Sequence, residues 1–185
     1  MDDPFSSCCK SNSRTTLLLE RVTDFVEWHS TKEYGEPKKL KIEYSVRGGL
    51  SYSQMAAYYT WLRMKGPTKN LFLPWGNLKW SVLSGDLLKI YPHTERAGLQ
   101  LADCVASAFF KGSDVYNTND CDPRFAMALK PRMARYRDRP AGQIAGYGVK
   151  LIPGMAKARL LPEQESLYRF YGYPRQWWDP DSFNR

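Results

Sequence analysis

The chain is organised around one apolar stretch, Thr94-Glu-Arg-Ala-Gly-Leu-Gln-Leu-Ala-Asp-Cys-Val-Ala-Ser-Ala-Phe-Phe110, which predicts a helix. Apolar residues recur in it at the i, i+4, i+7, i+8 spacing of one helical face, and we expect that face to be buried. They are Leu101, Val105, Ala108 and Phe109.

A narrow polar stripe interrupts this predicted helix. Gln100, Asp103 and Ser107 recur at i, i+3, i+7 and therefore share one side. A carboxylate among apolar side chains needs a partner, which can be a metal ion, a basic side chain or backbone N–H groups. Alternatively, the stripe is simply the solvated side of a packed helix.

Length and composition indicate a globular protein with one main domain and an appended tail. The chain has 185 residues, of which 43% are hydrophobic and 25% charged. No apolar run reaches the roughly 18 residues of a membrane span, so we expect no membrane partner. The first residues lack the pattern of a signal peptide, which favours a cytoplasmic location.

The net charge indicates a class of binding partner, and the cysteine content bears on whether the protein holds a structural metal. The net charge of +8 fits a polyanionic partner such as nucleic acid. The four cysteines form no C-x-x-C pair and the chain has two histidines, so we expect free thiols rather than a structural zinc site.

Periodicity and turn residues predict the order of elements. We expect helices over 14–29, 51–65, 94–110, 124–129 and 162–171, and strands over 39–47, 70–74, 87–91 and 143–152. Residues 1–13 are expected to be a flexible N-terminus. Residues 14–112 form the predicted core, and residues 113–185 form a basic and aromatic C-terminal α+β extension.

The densest basic cluster lies in that extension, interleaved with Tyr136. Cationic side chains beside an aromatic ring suit contacts to the phosphates and bases of nucleic acid. A solvated basic helix is the alternative. The candidate nucleic-acid-binding residues are Lys130, Arg132, Arg135, Arg137 and Arg139.

Five stretches together carry a resemblance to a known family. The most specific is Gly98-Leu-Gln-Leu-Ala-Asp103, and the others are Leu17-Leu-Leu-Glu-Arg21, Lys41-Ile-Glu-Tyr-Ser-Val-Arg47, Leu78-Lys-Trp80 and Leu88-Lys-Ile90. These stretches resemble the domain-of-unknown-function family 3800, a proposed family of RNase-H-like nucleases. The resemblance covers roughly residues 14–112 and implies a partial RNase-H-like α/β fold with the order helix-strand-helix-strand-helix.

The resemblance also implies a chemistry. Nucleases of this type hold Mg²⁺ or Mn²⁺ between carboxylates, and the ions activate water and stabilise the leaving oxygen of a phosphodiester. Asp103 matches the acid of the last helix and Glu20 that of the first helix, so these two would be metal ligands. Glu43, on the strand, is a further candidate catalytic acid.

The chain departs from the family at its start, because the three-strand meander that carries the first acid of such folds is missing. We therefore expect weak metal binding and little nuclease activity from the chain alone. The strand at 39–47 would also be left with an open edge where the first strand of the complete fold pairs, so we expect a second chain or a homo-oligomer to cover that edge.

Two functions follow as hypotheses. The first is a divergent or incomplete metal-dependent nuclease that needs a partner or a missing N-terminal half. The second is a non-catalytic nucleic-acid-binding or assembly subunit that retains the fold. A purely structural component is a third possibility.

Overall fold

The structure is a computed structural model and describes residues 4–46, 52–65, 78–114, 121–136, 142–152 and 158–179. It confirms a mixed α/β protein. The chain divides into two compact units, Met1–Arg96 and Ala97–Arg185. The predicted core extends further, to residue 112, so the last helix assigned to that core belongs to the second unit.

The first unit contains a β-α-β arrangement preceded by a long helix. Its elements are α1 (Pro4–Tyr34), β1 (Leu40–Ser45), α2 (Tyr52–Lys65) and β2 (Leu83–Tyr91). The helix α1 begins at Pro4, well before the predicted start at Arg14, and takes in most of the N-terminus that was expected to be flexible. It ends at Tyr34 and is followed by Gly35, whose positive φ of 76° is the left-handed conformation that favours glycine after a helix.

The two strands run parallel, and parallel strands need a long crossover connection, which here contains α2. Near their carboxyl ends Ile42 pairs with Leu88 and Tyr44 with Ile90. Between Leu40 and Ile42 the register shifts, so β2 carries extra residues around Gly85. The predicted strands at 39–47 and 87–91 are confirmed, whereas the one at 70–74 lies outside the described residues.

The core of the first unit lies between the sheet and the two helices. Leu19 of α1, Leu62 of α2 and Leu83 of β2 belong to one buried cluster, packed against Leu40 and Ile42 of β1. Alternation explains this packing, because every second residue of a strand faces the same side.

The second unit is mainly helical. Its elements are α3 (Ala97–Lys111), α4 (Arg124–Ala128) and α5 (Pro162–Phe170), with short 3-10 turns at Lys130–Arg132 and Arg175–Trp177. Its core includes Ala126 of α4, Leu167 of α5 and Trp178, together with Tyr171 and Tyr173. The adjacent tryptophans Trp177 and Trp178 pack on this core, as expected of a large aromatic pair.

The predicted strand over residues 143–152 is wrong. The segment folds into a tight turn with a single bridge between Ala145 and Val149. Gly146 has a positive φ of 78°, and its N–H bonds the carbonyl of Val149 at 2.7 Å. Alternating apolar residues gave the strand pattern, but the two glycines permit the chain to reverse.

The expected burial of α3 is also wrong, although the helix itself is confirmed. Leu101 is 66% exposed and Val105 36% exposed, while Ala108 and Phe109 are only partly buried. Periodicity locates the apolar face of a helix but says nothing about which element covers it. Asp103 consequently lies on an exposed helix rather than among packed alkyl groups.

Candidate functional site

The three candidate acids have different surroundings. Glu20 lies on α1 and is 3% exposed, and both of its carboxylate oxygens are buried. Asp103 lies on α3 and is exposed. Glu20 belongs to the first unit and Asp103 to the second.

Glu43 sits in a cationic environment on β1. Its carboxylate lies 2.6 Å from the Lys41 ammonium and 3.9 Å from the Arg96 guanidinium. The hydrogen bond from Lys41 to Glu43 raises the pKa of Lys41. The guanidinium of Arg96 also lies 3.8 Å from the ring centroid of Tyr91 and lowers the pKa of that phenol through a hydrogen bond.

This arrangement makes Glu43 the acid of an ion-pair network at the surface of the sheet. A carboxylate already matched by two cations has a reduced tendency to attract a further one. Within the part of the chain that the structure describes, no three His, Cys, Asp or Glu side chains group closely enough to hold a metal ion. The Mg²⁺ or Mn²⁺ site implied by the family resemblance therefore stays a prediction.

The basic cluster lies on the second unit. Arg132 is exposed at the end of the turn Lys130–Arg132, and Arg135 is half-buried and donates to the carbonyl of Gly142 at 3.3 Å. Lys130 donates to the carbonyl of Phe170, and its ammonium lies 4.1 Å from the Phe170 ring centroid. The remaining candidates, Arg137 and Arg139, lie outside the described residues.

Aromatic side chains accompany these cations at the surface. Tyr136 is 46% exposed and meets Tyr147 edge-on, with ring centroids 5.5 Å apart. Phe125 is 60% exposed and Phe170 40% exposed. The second unit thus presents cationic and aromatic groups together on α4, the turn after it and the end of α5.

A half-open cleft in the first unit was not predicted. It lies between α2 and the sheet and has a volume of about 310 Å³. Tyr52, Ala56 and Tyr59 face it from α2, at the i, i+4, i+7 spacing that places residues on one side of a helix. The same spacing in the sequence is the signal from which these three residues could have been predicted to face one common space.

A search for membrane-spanning segments over the described residues finds no helix with the necessary length and apolar character. Comparison with known protein families, with curated proteins and with solved structures finds no match for this chain.

Proposed function

We propose that this protein binds nucleic acid without cleaving it, through the second unit. The observation that carries the proposal is the set of exposed cationic and aromatic side chains on α4, the following turn and the end of α5. Arg132 and Tyr136 are its most accessible members along the turn. An arginine neutralises phosphate charge, and an exposed ring stacks on a base.

The charge of this segment supports the proposal. From Arg124 to Arg139 the sequence holds six basic residues and one acid, Asp138. Not every cation is available, because the Arg124 guanidinium is held by the Asp122 carboxylate at 2.8 and 2.9 Å. Arg132, being exposed, is the better choice for a test of phosphate binding.

The proposal favours a single-stranded ligand. Bases in a single strand are free to stack on exposed rings, whereas those in a duplex are already stacked on one another. Such binding tolerates many sequences and weakens as salt rises, because bound cations are released from the phosphates.

The experiment is a titration of labelled single-stranded RNA and DNA oligonucleotides, followed by fluorescence anisotropy over a series of salt concentrations. Arg132→Gln should weaken binding to both and lower the slope of log K against log salt by about 0.7, the value for one phosphate contact. Tyr136→Ala should weaken binding about tenfold, since it removes a stacking ring.

Arg63→Gln is the matched control, because Arg63 is an exposed arginine of the first unit and its loss changes the net charge equally. Equal losses in Arg63→Gln and Arg132→Gln would mean that net charge, not this surface, drives binding. Absence of salt-dependent binding in the unaltered protein would contradict the proposal.

The nuclease hypothesis is tested in the same samples by adding Mn²⁺. Cleavage that disappears in Asp103→Asn would replace the non-catalytic proposal with the metal-dependent one. The RNase-H-like fold also remains a proposal, and the element order α1-β1-α2-β2-α3 supports it. The pairing of a second chain with residues 39–47 is a separate proposal that rests on the family resemblance.

A further inference from the structure

Strand β1 has one side on which no described residue pairs with it. The described sheet has two strands in the order β1-β2, so within the part of the chain that the structure describes β1 has a neighbouring strand on one side only. An unpaired strand edge presents N–H and C=O groups that another strand can bond. This outer edge of β1 is therefore a candidate interaction surface.

Two hydrogen bonds establish which backbone groups lie at the outer edge. The N–H of Leu40 donates to the carbonyl of Val82 at 2.8 Å, and the N–H of Val46 donates to a carbonyl of β2 at 3.0 Å. Because backbone groups alternate in direction along a strand, those of the even-numbered residues face β2 and those of the odd-numbered residues face outwards. The outward set consists of Lys41, Glu43 and Ser45.

The outward carbonyl of Ser45 is already engaged. The Tyr52 hydroxyl, from the start of α2, donates to it at 2.5 Å. Pairing at this edge is therefore confined to Lys41 and Glu43. Their side chains are 47% and 25% exposed, so a partner strand can reach both residues.

Lys41 and Glu43 carry opposite charges on the same face of β1, two residues apart. Within the chain their side chains form an ion pair with 2.6 Å between nitrogen and oxygen, and the Arg96 guanidinium lies 3.9 Å from the same carboxylate. Opposite charges directly across an antiparallel pair are favourable, whereas like charges are unfavourable. This edge is consequently complementary to an identical strand that runs in the opposite direction.

Charge favours one register for such a pairing. When Ile42 lies opposite Ile42 of a second copy, Lys41 of each copy faces Glu43 of the other. When Lys41 is the centre, two ammonium groups are opposed, and when Glu43 is the centre, two carboxylates are opposed. The register centred on Ile42 also places Leu40 opposite Tyr44 on the other face, so that two large apolar side chains meet across the strands.

Registers centred two residues away are worse. A register centred two residues earlier opposes Lys41 to Lys39, which are both cations. One centred two residues later opposes Glu43 to Ser45, whose carbonyl already accepts the Tyr52 hydroxyl. The charges and the engaged carbonyl therefore select the same register.

We propose that the outer edge of β1 pairs antiparallel with the same edge of a second copy of this chain, with Ile42 at the two-fold axis. The two sheets then join into one, in the strand order β2-β1-β1-β2. Lys41 of each copy exchanges backbone hydrogen bonds with Glu43 of the other, and their side chains form ion pairs between the copies. The two-fold axis closes the assembly at two copies. The proposal concerns the first unit alone and does not depend on nucleic-acid binding.

The test is analytical ultracentrifugation of the full chain over a range of concentrations at physiological ionic strength. The unaltered protein should show an equilibrium between monomer and dimer. Lys41→Glu places carboxylates opposite each other on both sides of the axis, and Glu43→Lys does the same with ammonium groups. Each variant should therefore dimerise about tenfold more weakly or worse.

An equimolar mixture of these two variants separates pairing between copies from the ion pair within each copy. In a mixed dimer the Lys41→Glu chain presents two carboxylates and the Glu43→Lys chain two ammonium groups, so opposite charges face each other again. The mixture should dimerise about as tightly as the unaltered protein, although neither variant retains the internal ion pair.

Lys89→Glu is the matched control for charge reversal. Lys89 is exposed and lies beside Glu43 in the sheet, but it belongs to β2 and so lies away from the outer edge of β1. This variant should change the dimerisation constant by less than about threefold.

Amide hydrogen exchange of the unaltered protein provides a readout that needs no variant. As the protein concentration rises, the N–H groups of Lys41 and Glu43 should become protected, because they enter hydrogen bonds between the copies. Those of Ile42 and Tyr44 already face β2 and should be protected at every concentration.

Circular dichroism of each variant establishes that it is folded. A protein that is monomeric at every concentration would overturn the proposal, as would a mixture of the two folded variants that stays monomeric where the unaltered protein is dimeric. A dimer whose Lys41 and Glu43 N–H groups stay unprotected would show that another surface mediates association and would also overturn it. Weakened dimerisation in each variant together with recovery in the mixture would support it.

Discussion

The Tyr173 hydroxyl donates a hydrogen bond to the carbonyl of Val149 at 2.7 Å. The same oxygen accepts the N–H of Gly146 at 2.9 Å and that of Leu151 at 2.8 Å. Tyr173 is 3% exposed, so water does not substitute for these contacts. One phenol from the chain after α5 therefore holds the 145–151 turn in place.

Removing this hydroxyl tests its importance. Tyr173→Phe keeps the ring but deprives the buried Leu151 N–H of its acceptor, so we expect the second unit to lose about 1–3 kcal/mol of stability. The measurement is urea unfolding, together with amide hydrogen exchange of Leu151, which should accelerate about tenfold or more. Tyr34→Phe, at a ring that is 66% exposed, is the control and should change stability by less than about 0.5 kcal/mol.

Substitution by alanine should have opposite effects on stability at two glycines, Gly148 and Gly98. A Cβ at Gly148 would lie 2.2 Å from the carbonyl oxygen of Ala134, a backbone atom that cannot move aside cheaply. Gly148→Ala should therefore destabilise the protein by about 1–3 kcal/mol or more. At Gly98, near the start of α3, a Cβ would meet nothing within 4 Å.

Gly98→Ala should consequently be neutral or stabilise the protein by up to about 1 kcal/mol, because alanine favours the helix. Thermal unfolding of both variants under the same conditions checks the pair. Equal effects of the two substitutions would contradict the close approach of Gly148 to Ala134.

Acid titration should show an unusually low pKa for the Asp122 carboxyl group. The hydrogen bond from Arg124 lowers the pKa of this carboxyl from 3.8 to about 2. Because the folded pKa lies below the unfolded one, the stabilising contribution is complete above about pH 4 and is lost as the pH falls through about 2. Carbon-detected NMR of the carboxyl group should place its midpoint near 2.

Arg124→Gln should raise that midpoint towards the ordinary value. It should not reach it, because the backbone N–H of residue 124 still donates to Asp122 Oδ1 at 3.1 Å. A midpoint near 4 in the unaltered protein would mean that the contact between Arg124 and Asp122 does not form in solution.

Substitutions on α2 should distinguish its two sides. Leu62 is 1% exposed within the core of the first unit, and Met64 on the same helix is 71% exposed. Leu62→Ala should cost about 2–5 kcal/mol by removing packed methyl groups, whereas Met64→Ala should change stability by less than about 0.5 kcal/mol. Chemical unfolding followed by tryptophan fluorescence compares them, and similar losses would contradict the packing of α2.

Sequence patterns predicted the elements whose ends and buried faces depend on residues close together in the chain. Alternation identified β1, and Pro162 with Gly172 correctly bracketed α5. The turn at 145–149 escaped prediction because its stability depends on Tyr173, a residue distant in sequence. The early start of α1 was missed because small polar residues near a terminus resemble a flexible segment.

The candidate sites were less predictable than the elements. The cations near residue 130 lie close together in the sequence, but the sequence does not indicate that Lys130 is engaged with Phe170 or that Arg135 bonds the carbonyl of Gly142. The cleft was missed for a similar reason. Helical spacing aligns Tyr52, Ala56 and Tyr59, yet whether that side of α2 is packed or hollow depends on the strands opposite it.

Each unit has a hydrophobic cluster of its own, one centred on Leu62 and the other on Leu167. A protein with two such clusters can melt in stages, so a calorimetric scan should resolve more than one heat-absorption peak. Leu62→Ala would then shift one peak and Leu167→Ala the other, which would assign each melting event to a half of the chain.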